Sequence, residues 1–202
     1  PRVSFWEESY PPKSRLLWLL DNLDDPRVAE SKGAREDPNR LQVVRQHLDD
    51  YRQRIKDGQV GKYKWVLEGP TEFDALIRCP GLLVAVEAKL YSDIDTEVRW
   101  DKERDQIARV IDAGRELAGG NDFVFLLITD RRHHEPPKRY EELMARYRTD
   151  ESFAHLRGRL GWLTWGEIYN WLDGRRAQCT VEQRNWIDKL RIYLTKRSLL
   201  EI

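Results

Sequence analysis

The spacing of apolar residues predicts helices in the first part of the chain. Leucines cluster over residues 14–23 as on one face of a short helix, whereas residues 24–36 are polar and interrupted by Pro and Gly, which favours a loop. Asp37 and Pro38 then form a helix-start signal. Apolar residues recur after them every three or four positions as far as Ile55, which predicts one helix of about five turns with Gly58 at its C-terminal cap. The rest of the first forty residues is expected to be irregular.

The middle of the chain has the pattern of strands. Residues 63–67, 72–78 and 82–89 are short apolar-rich segments separated by Gly-Pro and Cys-Pro-Gly turns, which predicts an antiparallel meander. A long helix is expected over residues 96–118. The run over residues 122–129 shows no alternation, which is typical of a strand covered on both faces.

The remaining segments predict a helix over 136–147, a strand over 160–164 and helices over 165–172 and 181–194. Because strands and helices alternate after the meander, the whole pattern favours an α/β sandwich around a mixed sheet.

Composition narrows the class of protein. The chain has 202 residues and 24.0 kDa, which suits one domain. Its longest fully apolar run, residues 123–128, is far shorter than the roughly 20 residues of a membrane span, and the first residues lack the apolar core of a signal peptide. Its two cysteines have no zinc or redox spacing. We therefore expect a reduced, cytoplasmic protein.

Charge is unevenly distributed although the net charge is zero. Residues 1–130 carry 20 basic and 25 acidic side chains (20 − 25 = −5), and residues 131–202 carry 15 and 10 (15 − 10 = +5). The chain as a whole does not have the strong positive charge that by itself would indicate nucleic-acid binding. The last third is the part expected to meet phosphates.

Two neighbouring predicted strands carry the residues that suggest chemistry. Side chains alternate between the faces of a strand, so Glu72 and Asp74 share one face of the second strand, and Glu87 and Lys89 share one face of the third. If these strands pair through the turn between them, Asp74 comes close to Glu87. Clustered carboxylates repel one another, and a hard divalent cation such as Mg²⁺ offsets that repulsion. Such a cation, with Lys89 beside a water molecule, suits hydrolysis of a phosphodiester.

The arrangement of Asp74, twelve intervening residues and then Glu87-Ala88-Lys89 resembles the PD-(D/E)XK nuclease superfamily. The resemblance covers roughly residues 40–130, with Phe73 in place of the proline of the motif. It implies a restriction-endonuclease-like three-layer sandwich with an αβββαβ core. The chain would be one domain with a helical part over 1–60, a catalytic core over 61–130 and a basic part over 131–202.

The resemblance also implies an activity, that of a Mg²⁺- or Mn²⁺-dependent endodeoxyribonuclease of restriction or defence type. Asp74, Glu87 and the carbonyl of Ala88 would hold the metal, with Glu72 as a weaker candidate, and Lys89 would position the attacking water. The implied partner is DNA, double-stranded by default, cut by a homodimer or a larger assembly. The alternative is a nuclease-like DNA-binding or assembly module without catalysis, and RNA stays open as a substrate.

Further candidates surround this motif. Members of the superfamily often carry a Gln that faces the active site, which corresponds here to Gln106, and Arg99 and Arg109 would share its helix face. Asp49, Asp50 and Glu68 are candidates for an additional acidic residue. Weaker candidates for contacts with phosphate are the pairs His133-His134, Arg157-Arg159 and Arg175-Arg176. For the tryptophans Trp162, Trp165 and Trp171, packing in the core and at its rim is favoured over base stacking.

Overall fold

The computed structural model describes residues 1–59, 67–90, 94–95, 97–130, 142, 145, 149 and 158–200. The strands are β1 (Arg2–Ser9), β2 (Thr71–Cys79), β3 (Leu82–Ala88), β4 (Asp122–Thr129) and β5 (Leu160–Thr164). The helices are α1 (Lys13–Asp21), α2 (Pro26–Ala29), α3 (Lys32–Glu36), α4 (Pro38–Gln46), α5 (Leu48–Lys56), α6 (Gln106–Ala118), α7 (Trp165–Asp173) and α8 (Val181–Lys196).

The strands form a five-stranded mixed sheet in the order β1-β2-β3-β4-β5, flanked by helices. β1 and β2 are antiparallel, with Arg2 opposite Arg78 and Ser9 opposite Thr71. β4 and β5 are parallel. The predicted α/β sandwich with a mixed sheet is confirmed, and the bounds of β2, β3, β4, β5, α7 and α8 lie within two residues of the predicted ones.

The expectation of an irregular N-terminus is wrong, because residues 2–9 form the edge strand β1. Most side chains of β1 are exposed, including Phe5 and Trp6, so its sequence lacks the alternation that marks a half-buried strand. Pairing with β2 imposes the extended backbone. Arg78 of β2 reinforces this pairing, because its guanidinium donates hydrogen bonds to both carboxylate oxygens of Glu7.

The helices of the first sixty residues also differ from the prediction. The polar segment 24–36 is not a loop but contains α2 and α3, which Asp25 and Ser31 cap by accepting hydrogen bonds from backbone N–H groups. The single predicted helix is interrupted at His47, which separates α4 from α5. Both helices bury the same apolar stripe, so the pattern could not reveal the break. The predicted cap is confirmed, since Asp37 accepts from the Arg40 N–H at 3.1 Å.

The predicted helix over 96–118 begins ten residues late, at Gln106. Asp105 caps it by accepting a hydrogen bond from the Ala108 N–H at 2.7 Å. Residues 97–105 instead form turns and an isolated bridge between Val98 and Asp101. Tertiary ion pairs hold this segment, and local spacing does not encode them.

Two predicted elements cannot be compared in full. The predicted strand over 63–67 lies outside the described residues except for its last position. The predicted helix over 136–147 also lies outside them apart from Glu142 and Ala145, which are helical.

The chain divides into two compact units, Pro1–Ala85 with Ile94–Phe123 and Val86–Asp93 with Val124–Ile202. This division crosses the three predicted parts, and the single-domain organisation stays a prediction. In the first unit the N-terminal helices bury leucines around Trp100, and in the second unit α7 packs against α8. None of the helices in the described ranges combines the length and apolar composition needed to cross a bilayer.

Within the first unit α6 approaches the start of β4 closely at Gly114, where an added Cβ would collide with the ring of Phe123. We predict that Gly114→Ala lowers the free energy of unfolding by about 1–3 kcal/mol, because overpacking exceeds the helix preference for Ala. Gly120→Ala is the control, since no atom lies within 4 Å of its added Cβ. Urea denaturation of both variants measures the effect, and equal midpoints would contradict it.

The Glu7–Arg78 ion pair gives a pH-dependent prediction. Hydrogen bonds from Arg78 and then Ser4 hold the pKa of Glu7 below its ordinary value of 4.5. Because the pKa is lower in the folded chain, the pair contributes stability above pH 4.5 and loses it as the pH falls through the folded pKa. Glu7→Gln should therefore reduce the free energy of unfolding near neutral pH by up to about 1 kcal/mol, and by much less near pH ~3. The same reduction at both pH values would be evidence against this role.

Candidate functional site

Glu87, Ala88 and Lys89 stand at the end of β3, in the second unit. Glu87 is 6% exposed although it is charged. Lys89 Nζ lies 3.1 Å from Glu87 Oε1, and the Lys89 side chain is also mostly shielded from solvent. Residues two apart on a strand point to one side, so the expected pair of a carboxylate and an ammonium is formed.

The end of β4 meets this pair at the same edge of the sheet. The Lys89 N–H donates to the Ile128 carbonyl at 2.7 Å. Thr129 and Asp130 follow and are almost completely buried, and the Trp162 indole N–H donates to Thr129 Oγ1 at 2.9 Å. We call Glu87, Lys89, Thr129 and Asp130 the strand-end cluster. Asp130 was not among the site residues predicted from the sequence. Its position as the first charged residue after the apolar run of β4 is the pattern that could have indicated it.

The predicted acids of β2 lie in the first unit. Phe73 is fully buried between them, whereas Asp74 is half-buried and Glu72 is exposed, which fits the predicted alternation of faces. Glu72 lies opposite Glu8 of β1, another acidic residue that was not anticipated. Like charges directly opposite each other destabilise an antiparallel pair, so this acidic face is not explained by strand stability.

Gln106 occupies the first turn of α6 in the first unit. Its N–H donates to the Asp95 carbonyl at 2.9 Å, and its Oε1 accepts from the Asp95 N–H at 3.5 Å. The prediction that Arg99 shares its helix is wrong, since the helix starts later. Even so, Arg99, Gln106 and Arg109 line one cavity of about 380 Å³.

Glu68 belongs to a different arrangement, which we call the buried ion network. It consists of two buried acids and the arginines that surround them, all in the first unit: Glu68, Asp101, Arg15, Arg27, Arg104 and Arg109.

Both carboxylate oxygens of Glu68 are paired with arginines of the buried ion network. Arg15 Nε lies 3.0 Å from one oxygen of Glu68, while Arg104 and Arg109 lie 3.5 and 3.7 Å from the other. Asp101 receives Arg15 at 3.0 Å and Arg27 at 2.8 Å. Three guanidinium groups around one carboxylate repel a metal cation, so Glu68 has a structural position rather than a metal-binding one.

The other predicted candidates are mostly at the surface. Asp49 and Asp50 form ion pairs with arginines of their own helix, α5, at 3.4 and 2.8 Å. Arg176 binds Asp188, whereas Arg175 stacks on the ring of Trp171. Trp162 and Trp165 are half-buried and Trp171 is exposed, so none of the three lies fully inside the core. His133, His134 and Arg157 lie outside the described residues.

The donor set decides which metal these residues could hold. Among the described residues no three side chains of His, Cys, Asp or Glu gather in a metal-binding group. Mg²⁺ needs fewer side-chain ligands than such a group provides, because it takes oxygen ligands and is often held by one or two carboxylates together with water and substrate phosphate. The Glu87 carboxylate and the Ala88 carbonyl, both in the second unit, are hard oxygen donors of this kind. These residues fit Mg²⁺ or Mn²⁺ and do not fit zinc.

The buried ion network makes a prediction about stability. Glu68→Gln should lower the free energy of unfolding by about 3 kcal/mol, because it removes the buried negative charge that Arg15, Arg104 and Arg109 share, although Arg15 keeps Asp101 and Arg104 keeps Asp112. Asp24→Asn is the matched control, since Asp24 pairs with Arg45 at the surface and its loss should cost under about 1 kcal/mol. Urea denaturation of both variants measures the difference. Similar midpoints would show that the network is dispensable.

Comparisons of this chain with family models, with curated proteins and with solved structures found no match.

Proposed function

We propose that the protein is a Mg²⁺- or Mn²⁺-dependent nuclease that hydrolyses phosphodiester bonds of DNA. The observation that carries the proposal is the Glu87–Lys89 ion pair, which is largely buried at the end of β3 and lies beside the end of β4. Ligand sites of α/β proteins lie at the carboxyl ends of strands, and the strand-end cluster has this position.

Stability does not account for this pair. Removing two charges from water is costly, and replacing a buried ion pair by apolar residues is often neutral or stabilising. The surrounding positions of β3 are already apolar, so an apolar pair would suit the strand. A buried carboxylate and ammonium are better explained by chemistry performed at that edge.

Each residue has a role in the proposed reaction. Glu87 and the Ala88 carbonyl would hold the metal ion. The sequence motif adds Asp74 as a ligand, and the exposed Glu72 is the weakest candidate. The metal ion, when bound, would stabilise negative charge on the phosphoryl oxygens. Lys89 carries a positive charge that Glu87 holds in place, and it would orient the attacking water.

Phosphodiester cleavage tests the proposal. Purified protein is incubated with supercoiled plasmid and with linear single-stranded DNA in Mg²⁺, Mn²⁺ or EDTA. We expect metal-dependent cutting that falls about a hundredfold or more in Asp74→Asn and in Lys89→Met, because each removes a group that acts in the transition state. Asp24→Asn and Lys56→Met, which alter exposed residues, should cut as the unchanged chain does.

Lys89→Met leaves Glu87 buried without its ammonium and could destabilise the fold. Circular dichroism melting therefore checks that both variants are folded at the assay temperature. Full metal-dependent cutting by both folded variants would overturn the assignment. Binding of DNA without any cutting, and without binding of Mg²⁺ by calorimetry, would favour the alternative of a non-catalytic DNA-binding module.

A further inference from the structure

Three aromatic side chains of the second unit are exposed. Trp171 of α7 is 57% exposed, and Trp186 and Tyr193 of α8 are 64% and 50% exposed. Tryptophan is usually well buried because its ring is large and apolar. Exposed rings of this kind commonly mark a surface that meets a partner.

Each of these rings has a cation on it. Arg175 Cζ lies 3.9 Å from the ring centroid of Trp171, and Lys189 Nζ lies 5.1 Å from that of Trp186. Arg197 Cζ lies 5.6 Å from the ring centroid of Tyr193. Since a ring has two faces and each of these rings is at least half exposed, aromatic surface remains open to a ligand beside each positive charge.

Three of these residues lie along one side of α8, and Arg197, which directly follows its last residue, continues the row. Trp186, Lys189, Tyr193 and Arg197 follow one another at intervals of three, four and four residues, so they form a row about 16 Å long. We call this row the α8 stripe. The apolar residues Ile187 and Leu194 lie on a different side of the helix and are buried, so the stripe is not needed to hold α8 in place.

The segment of the chain that contains the α8 stripe has a net positive charge. Residues 158–200 contain eight Lys and Arg against four Asp and Glu (8 − 4 = +4). The acid between Trp186 and Lys189 in sequence, Asp188, forms an ion pair with Arg176 at 2.8 Å, which offsets its charge. A partner that is negatively charged and has flat apolar groups fits this surface.

We propose that the α8 stripe binds single-stranded DNA, with bases stacked on the rings and phosphates on the cations. In a duplex the faces of the bases are stacked on one another, whereas a single strand presents them to aromatic side chains. The inference rests on the proposed function in naming DNA, and it specifies the form of DNA that the nuclease engages. Binding itself requires none of the strand-end cluster.

Binding in EDTA tests the inference separately from cutting. Fluorescence anisotropy of labelled oligothymidine, and of its duplex with oligoadenine, is measured with the full chain carrying Asp74→Asn. We expect tighter binding of the single strand. Trp186→Ala and Tyr193→Ala should each raise the single-strand Kd about tenfold, because each removes a stacking platform. Trp186→Phe should retain most of the affinity.

Two further variants control for general effects. Phe5→Ala removes an aromatic side chain that is 61% exposed on β1, in the other unit, and should leave the Kd unchanged. Lys189→Ala should weaken binding and reduce its salt dependence by about one phosphate contact. The changed residues are exposed, so circular dichroism should show the same melting temperature for all variants.

The outcomes separate this inference from the proposed nuclease. An unchanged Kd in Trp186→Ala and Tyr193→Ala, or an equal loss in Phe5→Ala, would overturn the α8 stripe as a DNA surface while metal-dependent cutting could still stand. If binding depends on the α8 stripe but the unchanged chain does not cut DNA with Mg²⁺ or Mn²⁺, the DNA-binding surface is supported and the proposed nuclease activity is overturned. If the chain instead dimerises by light scattering, and Trp186→Ala abolishes the dimer without affecting DNA, the surface is an interface between copies.

Discussion

The first unit depends on two carboxylates, Glu68 and Asp101, which are buried among arginines. Through Arg15 they hold α1, and through Arg27 they hold α2, while both guanidinium groups also lie on the ring of Trp18, at 4.8 and 4.7 Å. The same acids anchor residues 97–105, which have little regular structure of their own. Because a buried charge is tolerated only beside its partners, the positions of these segments are fixed together.

The buried ion network and the strand-end cluster show two uses of buried charge. Glu68 is surrounded by guanidinium groups from three parts of the unit, so its charge is neutralised by the fold itself. Glu87 has an ammonium from its own strand, at the edge of the sheet where β3 and β4 end. Glu68 therefore organises packing, whereas the nuclease proposal assigns Glu87 to a metal ion. This difference is why the nuclease proposal depends on Glu87 and Lys89 and not on the larger network.

In the basic C-terminal third, exposed aromatic side chains narrow the class of negatively charged ligand that fits. Excess positive charge alone attracts any polyanion. In the α8 stripe, rings alternate with cations. A ligand that complements this pattern has flat apolar groups between negative charges, as the bases and phosphates of single-stranded DNA do. Both proposals concern one class of substrate, but the nuclease depends on Asp74, Glu87 and Lys89, whereas single-strand binding depends on the α8 stripe.

The sequence by itself determined the elements whose pattern is local. β2 to β5 and the last two helices were predicted closely because turns and apolar periodicity bound them, and the same alternation placed Glu87 with Lys89 on one side of β3. Only the tertiary structure decided the rest. β1 is a strand because β2 pairs with it, α6 starts at Gln106 because the preceding residues are held by ion pairs, and Glu68 is structural because three distant arginines reach it. The spacing of apolar residues predicts which face of a helix or strand is buried, but it does not predict which distant residue will pair with that helix or strand.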